Sequence, residues 1–122
     1  MEYTIKPSED GKYIVLKIDG DFTASQMMAC VIESHALGKQ LGLRCYLVDV
    51  RRARNIDSAM GNVNFAYRDM KQVEGVDPRA RVAGLVSPGD HSHDFVATVS
   101  ENAGMFLKLF TDFDEAVGYL LG

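Results

Sequence analysis

The stretch Asp49-Val50-Arg51-Arg52-Ala53-Arg54-Asn55-Ile56-Asp57-Ser58 decides the fold that this sequence predicts. It begins at the end of an apolar segment over residues 45–50, passes through a basic loop and reaches an Asp-Ser pair that is typical of a helix start. A helix start presents unpaired N–H groups and a partial positive charge. Ser58 could therefore be a plain cap, a phosphate acceptor or part of an anion site, and these residues leave all three alternatives open.

Apolar strands and capped helices alternate on both sides of this stretch. An antiparallel hairpin with strands over 3–6 and 13–18 and a turn at Asp10-Gly11 opens the chain. Further strands are predicted over 45–50, 81–86 and 105–110, and helices over 23–41, 57–73, 93–103 and the residues after Asp112. The order β-β-α-β-α-β-α-β-α predicts one α/β domain over residues 1–122, with a mixed, mostly parallel sheet.

The helices also show which faces should be buried. Thr23 with Gln26 has the spacing of a capping box for the first helix, and Gly42 suits its C-terminal stop. The apolar stripes predicted to face the core are Met27, Val31 and Leu41 with Cys30 and Leu37 in the first helix, Ala59, Val63, Ala66, Met70 and Val73 in the second, and Phe113, Ala116, Val117 and Leu120 in the last. Phe65 falls off the stripe of the second helix.

Composition limits the classes of function. The chain has 122 residues, 13 basic and 17 acidic side chains and a net charge of −4, which argues against broad nucleic-acid binding. Two cysteines without a CxxC neighbour indicate buried thiols in a reducing compartment rather than a metal site. Because the sequence shows neither a leader pattern nor a run of 18 apolar residues, we expect a cytoplasmic protein with at most peripheral membrane contact.

The first candidate site is Asp57-Ser58 with the basic residues before it. A phosphate on Ser58 would gain from the helix start, and Arg51, Arg52 and Arg54 could pair with it. The structural alternative is that Asp57 or Ser58 caps the helix while the arginines are solvated.

The second candidate is Asp90-His91-Ser92-His93-Asp94, at the same predicted edge of the sheet. His91 and His93 could bind a divalent metal or titrate near neutral pH, and the alternative is that Ser92 caps the third helix. A combined anion site is predicted from Arg51, Arg52, Arg54, Asp57, Ser58, His91 and His93. No nucleophile motif, Walker loop or GxGxxG occurs, so we expect no catalytic residues, cofactor or resident metal.

The strand, loop and helix start resemble the central signature of STAS domains, the anti-sigma-factor antagonists. In that signature an apolar strand ends in Asp, and a further Asp-Ser opens the next helix, as in Leu47-Val48-Asp49-Val50 and Ile56-Asp57-Ser58. The resemblance implies that Ser58 is the phosphoacceptor-equivalent residue. The sequence departs from the signature at Arg51, Ala59 and Met60, where those antagonists have serine, a hydroxyl residue and glycine.

Over roughly residues 12–121, the chain resembles the SpoIIAA-like family, a STAS- and CRAL-TRIO-related family of small bacterial proteins. The resemblance rests on Ile18-Asp19-Gly20, Leu47-Val48-Asp49-Val50-Arg51, Arg81-Val82-Ala83, Phe110-Thr111-Asp112 and Glu115-Ala116-Val117-Gly118-Tyr119-Leu120. It implies a STAS-like fold without a family set of catalytic residues. Kinship to CRAL-TRIO lipid carriers implies a role with an apolar ligand or at a membrane.

These observations favour a non-enzymatic binding or regulatory module that binds a protein partner. Phe65 and the open edges of a small sheet predict a homodimer. The alternatives are a carrier or sensor of a small apolar or anionic ligand and a small metal-dependent enzyme that uses Asp90, His91 and His93. An exposed serine edge would favour the regulator, an apolar pocket between helix and sheet the carrier, and three convergent ligands the enzyme.

Overall fold

The computed structural model describes residues 1–64, 75–77, 79–102 and 104–122. Within these residues, five strands and four helices follow the predicted order. Their bounds are β1 Glu2–Pro7, β2 Ile14–Asp19, α1 Ala24–Leu41, β3 Cys45–Arg52, α2 Ala59–Asn64, β4 Arg81–Leu85, α3 Asp94–Asn102, β5 Phe106–Phe110 and α4 Phe113–Leu121.

The strands form a sheet in the order β1-β2-β3-β4-β5. β1 is antiparallel to β2, and each later strand is parallel to the one before it. This arrangement confirms the predicted mixed α/β sheet with an N-terminal hairpin. Because β2 to β5 run in the same direction, the segments that follow them meet at one side of the sheet, which we call the strand-end edge. Ligands commonly gather at this edge in open α/β sheets.

Helices cover both faces of the sheet. On one face, Leu16, Ile18 and Val50 form a buried cluster with Phe22 and with Cys30 of α1. On the other face, the buried residues of β3 and β4 pack against α4 in a cluster that contains Leu47, Ala83, Leu85, Ala116 and Leu120. Because β3 and β4 are covered on both faces, their sequences are nearly continuous apolar runs.

The caps of α1 agree with the prediction, but its apolar stripe is shorter. The Thr23 hydroxyl accepts a hydrogen bond from the Gln26 N–H, the Gln26 side chain accepts one from the Thr23 N–H at 2.9 Å, and Gly42 adopts a left-handed conformation. Cys30 and Val31 are buried, whereas Leu41 is exposed, contrary to the prediction. A helix of 18 residues is about 27 Å long and a six-residue strand spans about 20 Å, so the last turn of α1 extends past β2.

α4 begins where its cap predicts. Asp112 accepts a hydrogen bond from the Glu115 N–H at 2.9 Å, and Ala116 and Leu120 are buried. Phe113 was predicted to face the core and is exposed instead. It is the first residue of the helix and lies at the strand-end edge, where the sheet no longer covers it.

Two further boundaries differ from the prediction. β3 continues to Arg52, so Arg51 and Arg52 are strand residues rather than loop residues. The reason is that β2 keeps pairing with it: Asp19 is aligned with Arg52 across a bulge, and the Gly20 N–H donates to the Arg52 carbonyl at 2.9 Å. The predicted second helix is confirmed over α2, while its predicted core residues Ala66, Met70 and Val73, and also Phe65, lie outside the described residues.

Candidate functional site

Asp57 connects the starts of two helices at the strand-end edge. One carboxylate oxygen, Oδ2, accepts a hydrogen bond from the N–H of Ala24, the first residue of α1, at 2.6 Å. The other, Oδ1, accepts one from the Ser58 N–H at 2.7 Å. These backbone hydrogen bonds, the one from Ala24 first, hold the pKa of Asp57 below its usual value. The side chain therefore stays charged and binds the loop before α2 to the beginning of α1.

Ser58 lies immediately before α2, as the sequence predicts. Its hydroxyl oxygen accepts a hydrogen bond from the Gly61 N–H at 3.0 Å, which is the bond that an N-terminal cap makes. Ser58 is nevertheless exposed. Gly61 is needed for this arrangement, because a Cβ there would overlap the Asp57 carboxylate. The serine hydroxyl is thus held in place and still open to solvent.

Two of the three candidate arginines form ion pairs with residues other than Ser58. Arg51 donates from Nε and Nη2 to the two carboxylate oxygens of Asp49, at 3.0 and 2.8 Å. Arg52 approaches Asp19 at 3.4 Å. Arg54 is exposed and contributes to the lowered pKa of Asp90, whose largest cause is the hydrogen bond from the Ser92 N–H.

The two candidate histidines occupy different environments. His91 is exposed, and its Nδ1 lies 2.8 Å from an Asp94 carboxylate oxygen. His93 is only 4% exposed, with Nε2 at 3.1 Å from the Ala53 carbonyl and 3.5 Å from Asp90, and its ring stacks on Phe22. The predicted anion site would thus contain one buried histidine and two arginines that already form ion pairs. Anion binding there stays a prediction.

The loop that carries these histidines is bound to the loop before α2. The Ser87 hydroxyl donates to the Arg51 carbonyl at 2.7 Å, and the Ser92 hydroxyl accepts from the Asn55 N–H at 3.2 Å. The prediction that Ser92 caps α3 is not met, because its hydroxyl binds the neighbouring loop instead. Together with the contact between His93 and the Ala53 carbonyl, these bonds fix the backbone that leads to Ser58.

Sequence reasoning missed Asn55, which orders the same loop. Its side-chain oxygen accepts from the Asp57 N–H at 3.0 Å, and its side-chain nitrogen donates to Asn62 at 2.8 Å. The first of these bonds is an Asx turn, and an asparagine four residues before the first residue of α2 is a local signal that could have predicted it. The bond to Asn62 in α2 has no comparable sequence signal.

A cavity of about 100 Å³ lies between α1, α3 and the sheet. Its walls are mostly apolar, with Met27 and Val31 from α1, Val48 and Leu109 from the sheet and Val96 from α3 among the lining residues. Five buried polar side chains also line it, namely Ser34, His35, Asn62, His93 and Ser100. The sequence did not predict this cavity, because the periodicity of apolar residues predicts which faces meet but not how completely they fill the space.

His35 in this wall should make stability depend on pH. Its Nδ1 accepts the Asp77 N–H at 2.9 Å, its ring stacks on Tyr46, and burial lowers its pKa from 6.5 despite the nearby Asp77 charge. The unfolded chain takes up a proton near pH 6.5, while the folded protein does so only at lower pH. His35 therefore contributes a loss of stability as pH falls below about 6.5.

We expect His35→Leu to be less stable than the wild type at neutral pH and to lose less stability on acidification. Urea unfolding followed at several pH values between about 7 and 5 measures this slope. Parallel slopes for the two proteins would contradict the assignment of His35 as a neutral acceptor.

Two further predictions concern assembly and membranes. The homodimer, predicted from Phe65 and the open sheet edges, stays a prediction, and Phe65 lies outside the described residues. In the part of the chain that the structure describes, no helix has the length and apolarity to cross a bilayer, and no three His, Cys, Asp or Glu side chains are grouped as metal ligands.

Comparison with known proteins gives structural matches. No protein-family model matches the sequence, and no curated protein does. An uncharacterised protein of the DUF3478 family with a SpoIIAA-like fold, from Shewanella loihica PV-4, matches with a TM-score of 0.53 and 20% identity over 98% of this chain and 92% of that one. The anti-sigma factor antagonist SpoIIAA in its unphosphorylated form matches with a TM-score of 0.51 and 17% identity over 99% of this chain and 97% of that one.

These matches extend over nearly the whole chain. At 20% and 17% identity they establish architecture rather than activity. The strand order is consistent with them. The resemblance read from the sequence is therefore confirmed at the level of structure: this chain has a SpoIIAA-like, STAS-type fold.

Proposed function

We propose that the protein is a non-enzymatic regulatory module that binds a protein partner at the strand-end edge around Ser58, and that phosphorylation of Ser58 switches this binding. The observation that carries the proposal is the exposed Ser58 hydroxyl, held at the start of α2 beside Asp57. The similarity to the structure of an anti-sigma factor antagonist, solved in its unphosphorylated form, supports a regulatory function for this protein.

The surroundings of Ser58 suit a partner surface. Ile56 and Met60 are both exposed and lie two residues before and after Ser58. When large exposed apolar side chains lie together, the patch that they form often marks an interaction site. A phosphate on Ser58 would add a charge of about −2 to this exposed segment, which opposes the docking of an apolar partner surface.

Phosphate at Ser58 would also act on Asp57. The Ser58 hydroxyl oxygen lies 3.4 Å from Asp57 Oδ1, so the added charge would repel the Asp57 carboxylate. That carboxylate holds the Ala24 N–H through its other oxygen. The repulsion therefore weakens the connection between the starts of α1 and α2, and one modification changes both the surface charge and the packing of the edge.

We expect the Ala24 amide hydrogen to exchange about two to five times faster in Ser58→Glu than in Ser58→Gln. The reason is that repulsion between the introduced carboxylate and Asp57 costs about as much free energy as a surface ion pair contributes. The glutamine variant has the same size without the charge. Amide exchange followed by NMR measures the rate. Equal rates in the two variants would contradict the coupling between Ser58 and Asp57.

The modification itself is tested on protein purified from the cells that make it. Peptide mass spectrometry should find the mass of one phosphate group on Ser58 in the wild type and no such group in a chromosomal Ser58→Ala variant. If phosphate is found at other residues but never at Ser58 when the cells are grown under several different conditions, the proposed phosphorylation switch is wrong.

A carrier or sensor of a small apolar ligand is the second candidate function. The observation that favours it is the mostly apolar cavity between α1, α3 and the sheet. Uptake of benzene by the wild-type protein, followed by chemical shift changes of cavity-lining amides, tests this candidate directly.

A further inference from the structure

Ser100 is the polar residue in the cavity wall that protein packing does not satisfy. It lies in α3 and is 1% exposed, and its hydroxyl has no hydrogen-bond partner among the residues that the structure describes. A buried hydroxyl without a partner is unfavourable, and such groups are rare in folded proteins. A molecule bound in the cavity could supply the missing hydrogen-bond partner of the Ser100 hydroxyl.

Ser34 lines the same cavity, and its hydroxyl already has a hydrogen-bond partner. It lies in α1, is 2% exposed and lines the cavity as Ser100 does. Its hydroxyl donates to the Val31 carbonyl at 2.9 Å, one turn earlier in the helix. The two serines have the same side chain and nearly the same burial, and they differ in whether the hydroxyl already has a partner.

We propose that the cavity binds a small molecule with an apolar body and a single hydroxyl group, and that the Ser100 hydroxyl is the hydrogen-bond partner of that group. This inference rests on the second candidate function. It adds the chemical class of the ligand and the residue that recognises its polar end.

The volume limits the apolar body of the ligand. A cavity of about 100 Å³ is well below the roughly 300–1,000 Å³ of pockets for drug-sized ligands. It is closer to the engineered apolar cavity of about 150 Å³, in another protein, that binds benzene. The ligand therefore has about the size of one six-membered ring, and a complete lipid acyl chain does not fit.

A water molecule is a poorer occupant than such a ligand. Buried water needs about two to four polar partners. The other buried polar side chains in the wall already have partners: the Ser34 hydroxyl donates to Val31, and Nδ1 of His35 accepts from Asp77. Asn62 accepts from the Asn55 side chain, and Nε2 of His93 lies 3.1 Å from the Ala53 carbonyl. Among the described residues of this mostly apolar wall, the Ser100 hydroxyl is a single unpartnered group, which suits a molecule that carries one polar group.

The experiment compares phenol with benzene, which differ by one hydroxyl group, in three proteins: the wild type, Ser100→Ala and Ser34→Ala. Dissociation constants are obtained from amide chemical shifts during titration of each full-length protein. Benzene binding by each variant shows that its cavity is intact. We expect the ratio of the phenol to the benzene dissociation constant to rise about tenfold in Ser100→Ala, since the buried phenol hydroxyl then lacks a partner. The ratio should stay at the wild-type value in Ser34→Ala.

Each other outcome overturns the proposal in a distinguishable way. If the ratio is the same in all three proteins, or changes equally in both variants, Ser100 is not the specific partner, although a carrier function would stand. If the wild type binds neither molecule at millimolar concentration, both the inference and the carrier function are wrong. The regulatory proposal at Ser58 is unaffected by any of these results.

Discussion

Gly38→Ala is expected to lower the free energy of unfolding by about 2 kcal/mol. Gly38 is buried where α1 crosses Tyr46, and a Cβ there would overlap the Tyr46 hydroxyl and lie 2.9 Å from the Leu43 carbonyl oxygen. Forcing a methyl group into such a packed contact costs about 3 kcal/mol. The better helix propensity of alanine returns about 1 kcal/mol of this.

Gly118→Ala is the matched control, because Gly118 is also inside a helix. It is exposed in α4, and none of the described residues packs within 4 Å of the position of its Cβ. Alanine there should raise the free energy of unfolding by about 0.5–1 kcal/mol. Urea unfolding of both variants gives the two values. Equal stabilisation by the two substitutions would show that α1 does not approach Tyr46 this closely.

The fold was predictable because its determinants are local. Thr23 with Gln26, Gly42, and Asp112 with Glu115 define helix ends within a few residues of sequence, and the structure contains each of these caps. The continuous apolar runs likewise indicated strands covered on both faces. Errors occurred where a distant element decides the outcome, as when pairing with β2 extends β3 to Arg52.

The site was less predictable because its contacts connect distant segments. The helix start at Asp57-Ser58 followed from the sequence, but no local pattern shows that Asp57 binds the N–H of Ala24, 33 residues earlier. Nor does charge alone show whether an arginine is free. Arg51, Arg52 and Arg54 look equivalent in sequence, yet Arg51 forms a bidentate pair and Arg52 a looser contact.

The ion pair between Arg51 and Asp49 should therefore stabilise the folded protein and not only contribute to its surface charge. Asp49 is buried. Burial by itself raises its pKa, but hydrogen bonds from the side chain and backbone N–H of Arg51 outweigh burial, and the pKa lies below its usual value. Removing the Arg51 side chain would leave a buried carboxylate that keeps the hydrogen bond from the backbone N–H of residue 51 and, among the described residues, the nearby charge of Lys17.

We expect Arg51→Ala to lower the free energy of unfolding by about 2 kcal/mol at neutral pH, as for a buried charge that loses its partner. In the wild type the Asp49 contribution is present at neutral pH and is lost as pH falls through the lowered pKa. In the variant, burial without Arg51 raises the Asp49 pKa, so the carboxyl is protonated more readily. The difference between the two proteins should consequently shrink towards about pH 4.

Arg52→Ala is the control for Arg51→Ala, since it removes the same side chain one position later in β3. Arg52 and Asp19 are both largely exposed and lie 3.4 Å apart, so its loss should cost less than about 0.5 kcal/mol at any of these pH values. Urea unfolding at neutral pH and near pH 4 measures both variants. If Arg51→Ala and Arg52→Ala both lower the free energy of unfolding only slightly, the two arginines are free at the strand-end edge. Both would then be available to the anion site that the sequence predicts. If only Arg51→Ala is costly, and only at neutral pH, Arg51 serves to neutralise Asp49 at the end of β3.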